Sequence, residues 1–285
     1  METEKDVHVD KKIAFVGAGV MAFALARGFT DSEKVKKEDI YMVVRNDTKR
    51  ALVEDLGYHS ILDPKELKDM DVIIISVKPQ DACEVLRDLS FLIDQEKHLV
   101  ISICAGLDLE TLTSAMNSPL QISPGTNRRI CRVLPNTPSQ IRRGVSVYCL
   151  GRGCTEDDKA LVENLMNACG SCYLIQEKQM AAASALSGSA PAFIFTLLDA
   201  LSDGGVKNGL PRRLAQDLAL DMVAGSAAFA RTELGRRHFA ELKDQVTSPG
   251  GTTIAGIAAL ERWGFRNAII QAVDATTDRA KDLAR

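Results

Sequence analysis

The stretch KKIAFVGAGVMAFALARGF, Lys11 to Phe29, decides the fold. It opens with an apolar strand, Ile13 to Val16, runs into a tight glycine turn, and continues as a helix with Met21, Leu25 and Phe29 on one face. The turn reads Gly17-x-Gly19-x-x-Ala22. In such a turn the first glycine permits the sharp bend, and the second lets backbone approach a pyrophosphate. The small third residue keeps helix and strand close. A tight strand–helix turn needs glycines in any case, so the reading rests on the pattern of the residues beyond it.

Beyond Phe29 the chain runs through further strands, each succeeded by a turn or helix. IYMVV (Ile40 to Val44), DVIIISV (Asp71 to Val77) and HLVISIC (His98 to Cys104) come first, then RICRVLPN and VSVYCL. The continuous apolar runs suit strands buried on both faces, and the alternation calls for a mostly parallel, doubly wound α/β sheet. Ligands of such sheets bind beyond the carboxyl ends of the strands. Four segments occupy those ends and are the expected cofactor contacts: Gly17, Ala18, Gly19, Val20 and Met21; Arg45 and Asn46; Ser76, Val77, Lys78 and Pro79; Cys104, Ala105 and Gly106. The second strand closes on VVRNDTKR, with Arg45 and Asn46 where a 2′-phosphate lies in NADP sites. NADPH is therefore expected over NADH. Lys49 and Arg50 read equally as phosphate contacts or as a solvated helix start, and Asp47 reads equally as an acid of the NAD type for the ribose or as that helix's N-cap.

The rest of the chain is helical. TEDDKALVENLMNACG carries a capping box at Thr155 and Asp158 and a core stripe of Leu161, Leu165 and Met166. After CYLIQ strand signals cease, so a boundary is expected near Gln176, dividing residues 1–176 from 177–285. Residues 1–10 are expected to be flexible. Dense small residues from Ala181 to Ala190 permit close helix packing, and Pro191 must kink the helix or mark a first turn. So alanine-rich a half has a thin core of its own, and a dimer through these helices is expected.

Composition excludes other classes. A net charge of −3 exerts no pull toward nucleic acid or anionic membrane. The N-terminus METEKDVHVDKK is acidic and polar, unlike a targeting segment. The apolar stretch Ala190 to Leu201 is short for a span and contains Asp199. A cytoplasmic protein is expected, with no membrane or nucleic-acid partner. Seven scattered cysteines argue against a disulfide framework. Cys169 and Cys172 form a lone C-x-x-C, read as ordinary thiols at a helix end, and no metal site is expected.

Near the C-terminus, LKDQVTSPGGTTIAGIAALE (Leu242 to Glu261) places a Ser-Pro-Gly-Gly-Thr-Thr loop at the start of an apolar helix. Unpaired N–H groups and the helix dipole make such a start an anion site; a plain N-capped loop reads the same way. Together with GAGVMAFALARGF, SVKPQ, RVLPNTP, ALSGSAPAF and DALSDGGVKNGLPRRLA, this stretch resembles the pyrroline-5-carboxylate reductase family, from about Lys12 to Ala280. The resemblance implies a Rossmann-type domain followed by an all-α dimerisation domain, with dimers often assembled into a decamer. It implies NAD(P)H-dependent reduction of the cyclic imine 1-pyrroline-5-carboxylate to L-proline. The second anion is then the substrate carboxylate, held by Ser248, Gly251, Thr252 and Thr253, with Thr253 as the candidate catalytic hydroxyl. Glu177 corresponds to a family position near bound proline, and reads equally as a plain helix-start acid. Gln245 stands where relatives commonly carry Asn, one methylene longer in reach. Lys78 either positions the nicotinamide end or is a salt-bridged surface lysine. Asn136, with Thr137 and Pro138, contacts the nicotinamide or braces its wall. The competing functions are a hydroxyacid or prephenate-type dehydrogenase, which needs a Lys or His base, and a non-catalytic NADP sensor.

Overall fold

In the computed structural model, described for residues 8–117 and 128–283, one eight-stranded sheet carries the first part of the chain. Its strands are β1 Ile13–Val16, β2 Ile40–Val43, β3 His59–Ile61, β4 Val72–Ile75, β5 Leu99–Ser102, β6 Ile130–Leu134, β7 Gly144–Leu150 and β8 Gly170–Leu174. The order is β3-β2-β1-β4-β5-β6-β7-β8, and every neighbouring pair is parallel except β6 with β7. The order reverses between β1 and β4, the switch point at which doubly wound sheets bind ligands. β1, β4 and β5 are buried along their whole length, which is why they read as unbroken apolar runs.

The helices of this part are α1 Val20–Asp31, α2 Asp47–Asp55, α3 Pro79–Leu89, α4 Leu109–Met116 and α5 Glu156–Asn167. Side chains alternate between two cores, one on each face of the sheet. Ile13, Phe15, Met42 and Ile74 pack with Leu25 and Phe29 of α1 and with Val162 and Leu165 of α5. Ala14, Val16, Ile73 and Ile75 pack with Leu86 of α3 and Leu112 of α4. The α5 capping box forms as expected, with both Thr155 and Asp158 making their reciprocal bonds.

The segment before β1 differs in part from expectation. Residues 1–7 lie outside the described residues, but Val9 is buried and donates its N–H to the Lys34 carbonyl at 2.8 Å. An apolar side chain placed beside Val35 and Phe29 is drawn into the core.

The remaining helices are α6 Met180–Ser184, α7 Ala190–Lys207, α8 Arg212–Glu233, α9 Phe239–Gln245, α10 Thr252–Arg262 and α11 Phe265–Leu283. Between α6 and α7, Ala185–Ser189 forms one π-helical turn, and Pro191 then falls in the first turn of α7. A proline lacks the N–H that a first turn leaves unpaired anyway, so the widened turn lets the helical run continue where a kink was the alternative. That run, Glu177–Lys207, is 31 residues and contains an 18-residue window of mean hydropathy 1.5, long and apolar enough to cross a membrane on length and composition. The stretch Ala190–Leu201 is one part of this longer helix. Two compact units are present, one reaching Gly188 and including the segment from Thr277 onward, the other Ser189–Thr276. Within the second unit α7 and α8 pack tightly at Gly205, where a Cβ would come within 3.0 Å of Ala215 Cβ.

Candidate active site

The glycine turn after β1 is built for close approach. Gly17 has φ +108°, and a Cβ there would meet the Ser76 carbonyl at 2.9 Å. Only glycine tolerates both conditions. Ser76, expected among the cofactor contacts, turns its hydroxyl on the turn itself, donating to the Gly17 carbonyl at 2.7 Å. Gly19 then stands as N-cap of α1 with no side-chain cap and no acid in the first turn. The first N–H groups of α1 are thus left for an anion. This cradle fits a dinucleotide pyrophosphate.

At the end of β2 the structure sorts the charged cluster. Asn46, not Asp47, is the N-cap of α2, accepting from the Lys49 N–H at 2.9 Å. Asp47 is the first helical residue, where its charge favours the dipole without capping. Arg50 pairs with Glu54 at 2.9 Å, and Glu54 also accepts from Ser60. Arg45 is exposed and lines a cavity of about 480 Å³ with Val16, Val43, Leu62, Pro64 and Val85.

Beyond β4, Lys78 is exposed and has no ion-pair partner among the described residues, against the salt-bridged alternative. Pro79 begins α3. Beyond β5, the Cys104 thiol is buried and donates to the Val77 carbonyl at 3.3 Å. Burial pushes its pKa up to about 11, so it links two segments as a neutral thiol and is no nucleophile. Ala105 continues that loop to Gly106, whose φ is +79°; a Cβ there would lie 3.3 Å from the carbonyl of Leu283. Asn136 is buried beyond β6, donating to the Ser187 carbonyl at 2.9 Å and accepting from Val145 N–H at 2.8 Å. Its amide ties the π turn to the head of β7.

Glu177 is the first residue of a short 3-10 turn, the helix-start position that is its other reading. Its carboxylate accepts from Leu109 N–H at 2.6 Å and lies 3.7 Å from the Arg132 guanidinium. The first turn of α4 and Arg132 already answer its charge. Arg132, buried on β6 with an unpartnered Nε, escapes a reading of the sequence because a charged residue inside RICRVL looks like an interruption of the strand.

The Ser-Pro-Gly-Gly-Thr-Thr loop repeats the logic of the first glycine turn. Gly250 has φ +67°. Gly251 is the N-cap of α10 and donates to the Ser248 carbonyl at 3.1 Å, and a Cβ on it would strike the Ser248 hydroxyl. Like α1, α10 starts on glycine with no side-chain cap and no acidic residue in its first turn. Thr252 and Thr253 are its first two residues, exposed, and Gln245 ends α9 three residues before Ser248. His238, the one histidine in this half, is occupied as N-cap of α9, its Nδ1 accepting from Ala240 N–H. Among the described residues no group of three or more His, Cys, Asp or Glu is placed to hold a metal.

Two family models match the chain: "pyrroline-5-carboxylate reductase dimerisation" over residues 177–283 and "NADP oxidoreductase coenzyme F420-dependent" over residues 12–106. A pyrroline-5-carboxylate reductase of Arabidopsis thaliana is 40% identical over 276 residues, covering 96% of each chain. The crystal structure of Plasmodium falciparum pyrroline carboxylate reductase with NADP bound superposes with TM-score 0.82 at 31% identity, over 98% of this chain and 100% of that one. A prephenate dehydrogenase of Aquifex aeolicus, TM-score 0.54 at 14% identity over 92% and 99% of the two chains, shares the fold alone.

Proposed function

The chain belongs to the pyrroline-5-carboxylate reductase family, and on that premise we propose how its residues carry the family reaction. The enzyme reduces the cyclic imine 1-pyrroline-5-carboxylate to L-proline with NADPH as reductant. NADPH supplies the hydride. Its pyrophosphate is assigned to Gly17, Gly19 and the bare first turn of α1, and its adenosine end to Arg45 and Asn46. Ser76 to Pro79 and Cys104 to Gly106 line the path between, with Ser76 and Cys104 holding those loops in place. Lys78, exposed and with no ion-pair partner among the described residues, is assigned to positioning the nicotinamide end.

The substrate carboxylate is assigned to the first turn of α10, with Ser248 and Thr253 adding hydroxyl donors and Gln245 an amide. Backbone N–H groups at a fixed helix start orient a small ring without the rotamer freedom of a lysine. The reaction adds hydride to the imine carbon and needs a proton on nitrogen. Solvent protonates the imine, and the Thr253 hydroxyl hydrogen-bonds at that nitrogen. A hydroxyl is a poor acid, so this contribution is modest. Glu177, held by Arg132 and the Leu109 N–H through one carboxylate oxygen, stays assigned to the substrate on the family correspondence alone.

The single observation that carries this assignment is the pair of glycine-started, uncapped, acid-free helix N-termini at α1 and α10. Two anion sites match two anions. The helical half mediates homo-oligomerisation; we take the unit to be a dimer that assembles further, to ten subunits by analogy with the family. The apolar run Glu177–Lys207 is proposed to face a second subunit, not a bilayer, and no nucleic acid is proposed as partner. Seven free cysteines support a reducing, cytoplasmic setting. The test is to mix purified protein, NADPH and 1-pyrroline-5-carboxylate and follow both NADPH oxidation and L-proline formation. Absence of proline with either nicotinamide cofactor would overturn the reading.

A further inference from the structure

Three cations cluster at the end of β2, and the structure gives each a different environment. Arg50 is drawn along its own helix to Glu54, which Ser60 holds from β3 at 2.7 Å. Arg45 has no ion-pair partner among the described residues and lines the cavity beside β2. Lys49 goes the other way: its ammonium lies over the ring of Phe23, 5.7 Å from the centroid. Phe23 is the fourth residue of α1 and Lys49 the third of α2. The contact therefore bridges the first turns of two neighbouring helices. One of those turns is the pyrophosphate cradle, and the other succeeds the strand end where the adenosine ribose must lie. A cation held between them is held beside the ribose.

We propose that Lys49, steered by Phe23, is a second cation of the 2′-phosphate site and with Arg45 sets the preference for NADPH over NADH. The inference rests on the assignment of NADPH to this cleft. A free lysine samples many rotamers, and ordering it at a phosphate opposes binding. The quadrupole of an aromatic face attracts the ammonium before the cofactor arrives, so less order remains to be imposed. Arg50 takes no part because Glu54 already neutralises it. Asn46 contributes indirectly, since its cap on the Lys49 N–H fixes the backbone from which the lysine projects.

The test is the ratio of kcat/KM for NADPH to that for NADH, measured on the full-length oligomer, together with competitive inhibition by 2′,5′-ADP and by AMP. Lys49→Met is expected to lower the ratio about tenfold, the loss of one charge-assisted phosphate contact. It is also expected to weaken 2′,5′-ADP but not AMP. Phe23→Leu keeps an apolar side chain but removes the π face, and is expected to lower the ratio about threefold. Lys49→Arg and Phe23→Tyr are expected to restore it, which a packing role for Phe23 would not require. A ratio unchanged in Lys49→Met, or both cofactors weakened equally, overturns the proposal. If Arg45→Ala abolishes discrimination while Lys49→Met does not, the NADPH assignment stands and Lys49 is excluded. A wild-type enzyme that does not distinguish the two cofactors removes the assignment and the proposal together.

Discussion

At the scale of single residues, the site depends most on atoms that are missing. Gly17 combines a left-handed backbone with a contact that leaves no room for a methyl group. Gly17→Ala must either move β4's end or abandon the positive φ, at about 1–3 kcal/mol. NADPH affinity is expected to fall at least about tenfold, read by fluorescence titration, with far-UV circular dichroism unchanged; unaltered affinity would remove the cradle from this turn. Thr253→Ala tests the second cradle. It deletes one hydroxyl from an exposed helix start, so imine turnover should weaken while NADPH affinity stays intact. If NADPH binding is lost instead, that loop belongs to the cofactor. Some of these roles are legible in the sequence and some are not. A G-x-G-x-x-A turn states its geometry, because glycine has few other reasons to stand there. Glu177 does not state its own: a carboxylate can face a ligand, a helix start or an arginine, and only folding brings β6 and α4 to it. The same holds for Asn46, whose neighbour Asp47 caps helices equally well in isolation.

At the scale of elements, the fold is legible wherever burial is complete. β1, β4 and β5 are continuous apolar runs because neither face sees water. β3 is three residues, HSI, at a sheet edge, with only Ile61 buried, too little pattern to read. The antiparallel turn into β7 is equally hidden, since it depends on Arg142 adopting φ +56°, a conformation few arginines announce. Two elements yield stability predictions. α5 begins on a reciprocal cap whose Asp158 is almost wholly buried and pairs with Arg129 at 2.5 Å. Burial alone would raise the Asp158 pKa, but the Arg129 and Thr155 bonds outweigh it and hold it below the ordinary value. Its contribution is therefore present above the unfolded carboxylate pKa and lost as pH falls through the lower folded one. Thr155→Ala should cost about 1 kcal/mol and Asp158→Asn more, since it leaves Arg129 unpaired, both read from urea midpoints at neutral pH. The connection from α3 to β5 reaches the same sign by another cause and in a higher pH window. His98 is buried with Nδ1 accepting from Asp94 N–H at 2.8 Å, and burial lowers its pKa. Protonation would set a proton against that N–H. Stability from this group is complete above the unfolded histidine pKa of about 6.5, and declines as pH falls below it. His98→Gln should flatten that part of the urea-midpoint profile; an identical slope in the variant would clear His98 of the effect.

At the scale of the whole molecule, the helical half cannot be explained as a single chain. Of its large apolar side chains, Trp263 is 84% exposed and Phe195 63%, whereas Ser202, Ala215 and Ala219 are the buried residues of α7 and α8. On α8, Leu214, Leu218, Met222 and Phe229 are all exposed at spacings of four, four and seven, so they form one stripe on one face. A patch of this kind on a folded protein marks an interface. The alanine-rich composition announces the deficit of core but not its location, which emerges only once α7 and α8 have used their small faces against each other at Gly205 and Ala215. The substrate loop bears on the same point. Ser248, Thr252 and Thr253 are all exposed on one chain, yet dipoles and hydroxyls hold an anion weakly while water competes for it. Assembly is what can exclude that water. The wild-type protein should sediment at no less than twice 30.9 kDa at micromolar concentration. The double substitution Leu218→Glu and Met222→Glu places four carboxylates in each dimer interface, so it should dissociate the assembly. Imine turnover should then fall with the loss of oligomer while NADPH titration of the dissociated chain persists, because the glycine turn of β1 and α1 lies wholly within the first compact unit. A monomer that retained full turnover would show that one chain suffices to enclose the imine, and the water-exclusion argument would have to be abandoned.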